Sequence, residues 1–216
     1  MIAIIDYGMG NLRSVYNALD YIGEEAVITN NPEEIADAQR IILPGVGAFG
    51  EAMENLHKRG LFDILKKEVL ISKKPFLGIC LGMQLVADYS EENGFHEGLG
   101  FIKGHVKHFE LEKGYHIPHI GWNEIKYAED EPFFEGVRKK DRNFYFVHSY
   151  HFVPECEAVI LTKTDYGIEF VSAVKKGNIV ATQFHPEKSQ KNGLSFLEAF
   201  VEWEPKFDRE EVLKEC

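Results

Sequence analysis

A cysteine, a histidine and a glutamate in this 216-residue chain occupy settings suited to a nucleophile, a base and an orienting acid. The stretch Lys74-Pro75-Phe76-Leu77-Gly78-Ile79-Cys80-Leu81-Gly82-Met83-Gln84 puts Cys80 between two glycines, after a short apolar run and ahead of a helical pattern over residues 83–89. Strand, glycine turn and helix in that order make a nucleophile elbow, the strained turn familiar as G-x-S-x-G, with cysteine in the serine's place. A helix N-terminus offers partial positive charge and free N–H groups, which favour a thiolate. The alternative on this pattern alone is a small apolar core residue. A thiolate also needs a base, and the base needs a third group to hold its tautomer. Gln183-Phe184-His185-Pro186-Glu187-Lys188-Ser189 supplies both. In an extended segment, side chains at i and i+2 share a face, so Glu187 can accept from one nitrogen of His185 while the other faces Cys80. Pro186 is expected to keep this segment out of helix.

These groups require a scaffold that delivers them to one edge. Residues 2–6 form an apolar run closed by Asp6 and the glycine turn Tyr7-Gly8-Met9-Gly10-Asn11, a buried parallel strand followed by a helix with Leu12, Val15, Tyr16 and Leu19 on one face. This is not a dinucleotide fingerprint, because Arg13 stands where the third glycine belongs and Thr29-Asn30-Asn31 ends the second strand without an acid. Strands are predicted at 26–28 and 40–43, with a weak helix at 32–38 between them and helical patterns at 51–56 and 61–70. The third strand runs into Pro44-Gly45-Val46-Gly47-Ala48-Phe49-Gly50. Ligands bind at that edge of an open α/β sheet, and glycine leaves peptide planes free to turn an N–H toward one. Strand and helix in alternation predict an α/β fold with a doubly wound, mostly parallel central sheet flanked by helices.

Beyond Tyr89 the segments shorten, with strands expected at 106–109, 122–125, 145–152, 158–162, 170–174 and 179–183. Several pair as antiparallel hairpins, most clearly across residues 173–180, and a terminal helix covers 195–203 with Phe196, Ala199 and Phe200 on one face. Residues 1–203 read as a single domain, and 204–216 as a charged extension, either a solvated helix or a disordered end.

A hydrophobic content of 44% supports a substantial core, and a net charge of −11 argues against a nucleic-acid partner. The cysteines, Cys80, Cys156 and Cys216, are odd in number and widely spaced, which indicates neither a disulfide framework nor a zinc site. A reducing compartment fits that usage. The opening Met1-Ile2-Ala3-Ile4-Ile5 has no basic leader or long apolar stretch, so no membrane span is expected and the location is cytoplasmic. No metal or cofactor is expected.

The elbow, the glycine loop and the His-x-Glu segment together resemble class I glutamine amidotransferases, in which Cys, His and Glu occur in this order. Six stretches carry a closer likeness: Asp6-Tyr7-Gly8-Met9-Gly10-Asn11-Leu12, Leu43-Pro44-Gly45-Val46-Gly47-Ala48-Phe49, Gly78-Ile79-Cys80-Leu81-Gly82-Met83-Gln84, Pro118-His119-Ile120-Gly121-Trp122-Asn123, Tyr145-Phe146-Val147-His148-Ser149-Tyr150 and Gln183-Phe184-His185-Pro186-Glu187-Lys188-Ser189. They are similar to the glutaminase subunits of imidazole glycerol phosphate synthase, a likeness that runs to about Trp203. Met83 separates that family from anthranilate and GMP synthase glutaminases, which usually carry His there.

The resemblance implies a flavodoxin-like class I glutaminase domain that hydrolyses glutamine through a thioester on Cys80, with His185 and Glu187 completing a triad. It implies an oxyanion hole from Val46, Gly47 and Leu81, glutamine binding by Gln84, Ser149 and Tyr150, and contacts to a partner through Asn11, Trp122 and Lys188. The implied partner is a (β/α)8 synthase subunit, joined as a heterodimer, that uses the ammonia to make imidazole glycerol phosphate in histidine biosynthesis. Paralogous glutaminase subunits that supply ammonia for amidino sugars share these motifs and form the alternative client. A non-catalytic amidotransferase-like regulator is the alternative of another class, disfavoured because Cys80, His185 and Glu187 are all present.

Overall fold

Ile2, Ala3, Ile4 and Ile5 make β1 (Ile2–Ile5), apolar on both faces as a central parallel strand requires. The computed structural model describes residues 1–137 and 140–205. Strand and helix alternate through α1 (Leu12–Tyr21), β2 (Ala26–Thr29), α2 (Pro32–Asp37), β3 (Arg40–Gly45), α3 (Phe49–Lys58) and α4 (Leu61–Lys66). A π-turn over Lys67–Ile71 then leads to β4 (Phe76–Cys80) and α5 (Leu81–Leu85). Shorter strands follow: β5 (Tyr89–Ser90), β6 (His96–Glu97), β7 (Gly104–His108), β8 (His119–Glu124), β9 (Asn143–His148) and β10 (Tyr150–Pro154). The described chain ends with β11 (Ile160–Asp165), β12 (Glu169–Lys176), β13 (Ile179–Thr182) and α6 (Gln190–Glu202).

The central sheet has seven strands in the order β11-β12-β13-β4-β3-β1-β2. From β13 to β2 every neighbour is parallel, while β11, β12 and β13 pair antiparallel, the last two through the expected hairpin with Lys176 opposite Ile179. A four-stranded sheet, β10-β7-β5-β6, and the ribbon β8-β9 lie outside it. Both faces of the central sheet are covered. One cluster joins it to Ile35 of α2, Phe49 and Leu56 of α3, and Leu61 and Leu65 of α4. The other joins it to Val15 and Leu19 of α1, to Phe144 and Phe146 of β9, and to Phe196 and Phe200 of α6. Each of those fully buried phenylalanines contributes roughly 1.5–3 kcal/mol, which fastens β9 and the terminal helix to the sheet.

Three local expectations are corrected. The helix placed at 83–89 is α5 at Leu81–Leu85, starting directly after Cys80, and by Tyr89 the chain is already a strand. Backbone pairing with β7 pulls it out of helix, since Asp88 N–H donates to Gly104 O at 3.0 Å. The single strand expected at 145–152 is two strands in different sheets, broken at Ser149, whose carbonyl accepts from Phe109 N–H at 3.0 Å. The terminal helix starts at Gln190, earlier than expected, because Gly193 lets its first turn pack on the Pro186 carbonyl, where a Cβ would stand 1.8 Å away.

Cys80 carries a free, buried thiol. Of the charged extension, residues 206–216 lie outside the described residues, and Glu204 pairs with Arg40 at 2.8 Å.

Candidate active site

Cys80 is the last residue of β4, at the C-terminal edge of the parallel sheet. Its neighbours on that edge follow from register. Gly45 of β3 lies opposite Cys80, which sets the Val46-Gly47 turn beside it. On the other side Thr182 of β13 lies opposite Ile79, so Gln183, Phe184 and His185 emerge at the same edge. Three adjacent strands thus deliver the glycine loop, the cysteine and the histidine.

The backbone at Cys80 has φ +55° and ψ −106°, a region that a non-glycine residue enters at a cost of about 1–3 kcal/mol. The flanking glycines make that conformation possible. A Cβ at Gly82 would stand 1.8 Å from Leu43 O, and one at Gly78 would stand 2.6 Å from Gly82 O. The spacing G-x-C-x-G is therefore a steric requirement of the strand-to-helix turn. The Cys80 side chain is buried, with Sγ 3.7 Å from Val147 O and 3.7 Å from Gln183 Nε2.

His185 Nδ1 lies 2.8 Å from Glu187 Oε1, with both side chains 1% exposed. The two meet by a different route from the extended segment expected. His185 is extended, but Pro186 opens a 3-10 turn over Pro186–Lys188, because proline is well suited to the first position of a helical turn. The turn folds the carboxylate back under the ring. Hydrogen bonds from His185 N–H to Tyr145 O at 2.9 Å and from Ser189 Oγ to His185 O at 2.6 Å pin it. Burial alone would lower the basicity of His185. The negative charge of Cys80 and the carboxylate of Glu187 outweigh it and push the pKa up to about 10. His185 Nε2 is buried without a hydrogen-bond partner among the described residues, as is Glu187 Oε2. The site thus has a positively charged imidazole, oriented from behind, next to a cysteine at a strained turn.

A cavity of about 290 Å³ adjoins Cys80, and its walls include Val46, Gly47, Leu81, Gln84, Ser149 and Tyr150. Its size suits a small polar ligand. Leu81 opens α5, so its N–H has no acceptor within the helix. The Gln84 side chain is committed to the protein, with Nε2 donating to Tyr150 O at 3.0 Å and to Gln183 Oε1 at 3.2 Å. All six residues inferred for oxyanion and glutamine binding therefore converge with Cys80 on one cavity.

The same walls contain Glu92, which the sequence did not single out, and Pro118, Val147 and His148, which lie in the quoted motifs but were assigned no role. Glu92 accepts from Phe49 N–H at 2.7 Å and so ties the start of α3 to the cavity, with no local pattern to announce it. Gln183 opens the quoted His185 motif but was given no role there; its side chain lies between Gln84 and Cys80. Behind His148 lies a run of buried histidines. His148 Nδ1 lies 2.8 Å from Tyr150 O and must donate to it, so His148 Nε2 accepts from His119 Nδ1 at 3.0 Å, and His119 Nε2 accepts from Asn123 Nδ2 at 3.3 Å.

The residues inferred to meet a partner lie on a neighbouring surface. Trp122 projects from β8, 49% exposed and edge-on to Tyr145 at 6.0 Å, and Lys188 Nζ sits 5.8 Å over the same Tyr145 ring. Asn11 stands at the N-cap position of α1, its Oδ1 accepting from the Ser14 Oγ side chain at 2.9 Å, and α1 packs against the Pro186–Lys188 turn. Among the described residues no cluster of His, Cys, Asp and Glu could hold a metal ion, and no helix is long and apolar enough to cross a membrane.

The model of the family described as glutamine amidotransferase class-I matches residues 3–203. The chain is 52% identical over 198 residues to the imidazole glycerol phosphate synthase subunit HisH of Aquifex aeolicus, covering 91% of this chain and 94% of that one. It is 52% identical over 205 residues to the protein of the same name from Methanocaldococcus jannaschii, covering 94% and 99%. Among solved structures, PurLQS from Thermotoga maritima superposes with a TM-score of 0.72 at 19% identity, over 93% of this chain and 96% of that one, which bears on the fold alone.

Proposed function

The chain belongs to the class-I glutamine amidotransferase family, and we propose that it is the glutaminase subunit of an imidazole glycerol phosphate synthase. What supports this reading is the His185–Glu187 pair at 2.8 Å, delivered by β13 to the same sheet edge as Cys80 and its cavity, in a chain about half identical to HisH proteins over nearly its whole length. Residues 1–203 act as one amidotransferase domain, and the pathway, histidine biosynthesis, puts the protein in the cytoplasm.

The Cys80 thiolate adds to the side-chain amide carbon of glutamine, forming a C–S bond while the carbonyl electrons move to oxygen. N–H groups of Leu81 and of the Val46-Gly47 turn hold that oxyanion, and one such donor is worth about a hundredfold or more in rate. Collapse breaks the C–N bond, and the leaving nitrogen takes a proton from His185 to depart as ammonia. Water, deprotonated by His185, then attacks the thioester and releases glutamate and the thiolate. Glu187 keeps Nδ1 protonated, so Nε2 is the nitrogen that exchanges protons with the reacting groups. Gln84, Ser149 and Tyr150 shape the glutamine pocket.

Ammonia that escapes into water is protonated and loses its nucleophilicity, so it must pass through a sheltered path to a second active site. That site belongs to a (β/α)8 synthase subunit docked over Trp122, Lys188 and Asn11. In the two-subunit complex Cys80→Ala is expected to abolish glutamine-dependent synthesis and leave synthesis from ammonium salts intact. Loss of both activities together would refute the division of labour. Trp122→Ala is expected to weaken subunit association by more than about 2 kcal/mol, read by calorimetry, as a partly exposed Trp at the centre of a docking face would. An unchanged dissociation constant would remove Trp122 from that face.

A further inference from the structure

Tyr7 is a buried polar residue for which the reaction above has no use. It follows β1, is 0% exposed, and its Oη has no hydrogen-bond partner among the described residues. An unpaired buried hydroxyl is destabilising, and phenylalanine would fill the same space without it. Burial, reinforced by the charge of Cys80, raises the phenol well above its ordinary value, so Oη remains a protonated donor wherever the enzyme works.

Its location gives this donor a task. A Cβ built on Gly45 would come within 2.3 Å of Tyr7 Oη and 2.8 Å of Leu81 Cβ. The hydroxyl therefore rests against the backbone where β3 gives way to the Val46-Gly47 turn. Val46, Gly47 and Leu81 line the cavity over Cys80, whereas Tyr7 and Gly45 do not. The turn thus stands between the hydroxyl and the cavity. A trans peptide plane carries its C=O and N–H on opposite sides, so an N–H turned into the cavity sends the attached C=O the other way, toward Oη.

We propose that Tyr7 is a positioning residue for the oxyanion turn: its hydroxyl donates to a carbonyl of residues 45–47 when the matching N–H points at the tetrahedral intermediate, and it is left unpaired in the other orientation. The inference rests on the amidotransferase reading. It gives the turn two states that differ by one buried hydrogen bond, and the paired state is the productive one. Gly45 is glycine because any side chain would occupy the place where hydroxyl and carbonyl meet.

The test is Tyr7→Phe in the complete two-subunit enzyme. The expected result is a fall in kcat for glutamine hydrolysis of between about 5- and 100-fold with KM for glutamine unchanged. Acylation of Cys80 by a glutamine chloroketone should slow in parallel, while alkylation by iodoacetamide, which forms no oxyanion, keeps its rate. Synthesis from ammonium salts and the melting temperature should not fall. A kcat within twofold of the parent, or a loss that also lowers the melting temperature or the iodoacetamide rate, overturns the proposal. Retention of glutamine hydrolysis by Cys80→Ala would instead overturn the amidotransferase reading, so the two failures are distinguishable.

Discussion

His185 is as deeply buried as His119, His148 and His151, the four being 1%, 2%, 6% and 4% exposed, yet their protonation is opposite. Burial lowers the basicity of His119 to about 4, His148 to about 3 and His151 to about 4, whereas His185 is pushed up to about 10. The neighbours make the difference. Around the first three stand one another, the Tyr150 carbonyl and the rings of Phe109, Phe146, Phe170 and Tyr166, with Lys107 and His105 adding positive charge near His151. His185 has burial against it too, but Cys80 and Glu187 supply negative charge at contact range. A buried histidine becomes a cation only where the fold brings it a carboxylate or a thiolate, and here the fold does so at one place.

Glu187→Gln is the sharpest way to break that contrast. The amide keeps the shape and removes the charge 2.8 Å from Nδ1, so His185 moves toward the behaviour of the other three and its tautomer is no longer fixed. Glutamine hydrolysis in the complex is expected to fall by roughly 10³–10⁴-fold, the scale seen when the orienting acid of a triad is made neutral. The His185 titration, followed by ring NMR shifts, is expected to move down from about 10. Activity within tenfold of the parent would mean that Cys80 alone holds the ring.

The central strands and the elbow were legible in the sequence because their causes are local. Strands such as β1 and β4 are apolar on both faces, and the glycines around Cys80 record a steric condition within a few residues of it. What escaped depends on distant partners. Nothing near Ser149 announces that the strand must change sheets there, since Phe109 and β7 decide it. Glu92 reaches Phe49, 43 residues away in sequence, and the histidine chain joins β8 to β9 across 29 residues. The pairing of His185 with Glu187 was readable from spacing, but its geometry was not. Alternation along a strand and a proline-initiated turn both bring i and i+2 together, and only the Ser189 and Tyr145 hydrogen bonds select the turn.

The smallest expected effect sharpens the contrast from the other side, through stability against pH. His185 is raised above its unfolded value of 6.5, so its contribution is full below pH 6.5 and is lost as pH climbs through about 10. The depressed histidines work in the reverse sense, their contribution being present above pH 6.5 and lost as pH falls through about 4 and below. His151 isolates the acid limb. It stacks on Phe109 at 4.9 Å, and neither ring nitrogen has a hydrogen-bond partner among the described residues. His151→Phe keeps the stacking, removes both nitrogens and leaves every carboxylate in place, including Glu68, which Lys74 and Ser72 hold low against the opposing effect of burial. Between pH 7 and pH 5 the variant should lose less stability than the parent by on the order of 2 kcal/mol. For a chain of this size that is a difference of about 4–8 °C in the shift of melting temperature, measurable by scanning calorimetry. Parallel melting curves across that range would show that His151 takes up its proton without leaving the folded state, and the four histidines would then differ in function but not in charge.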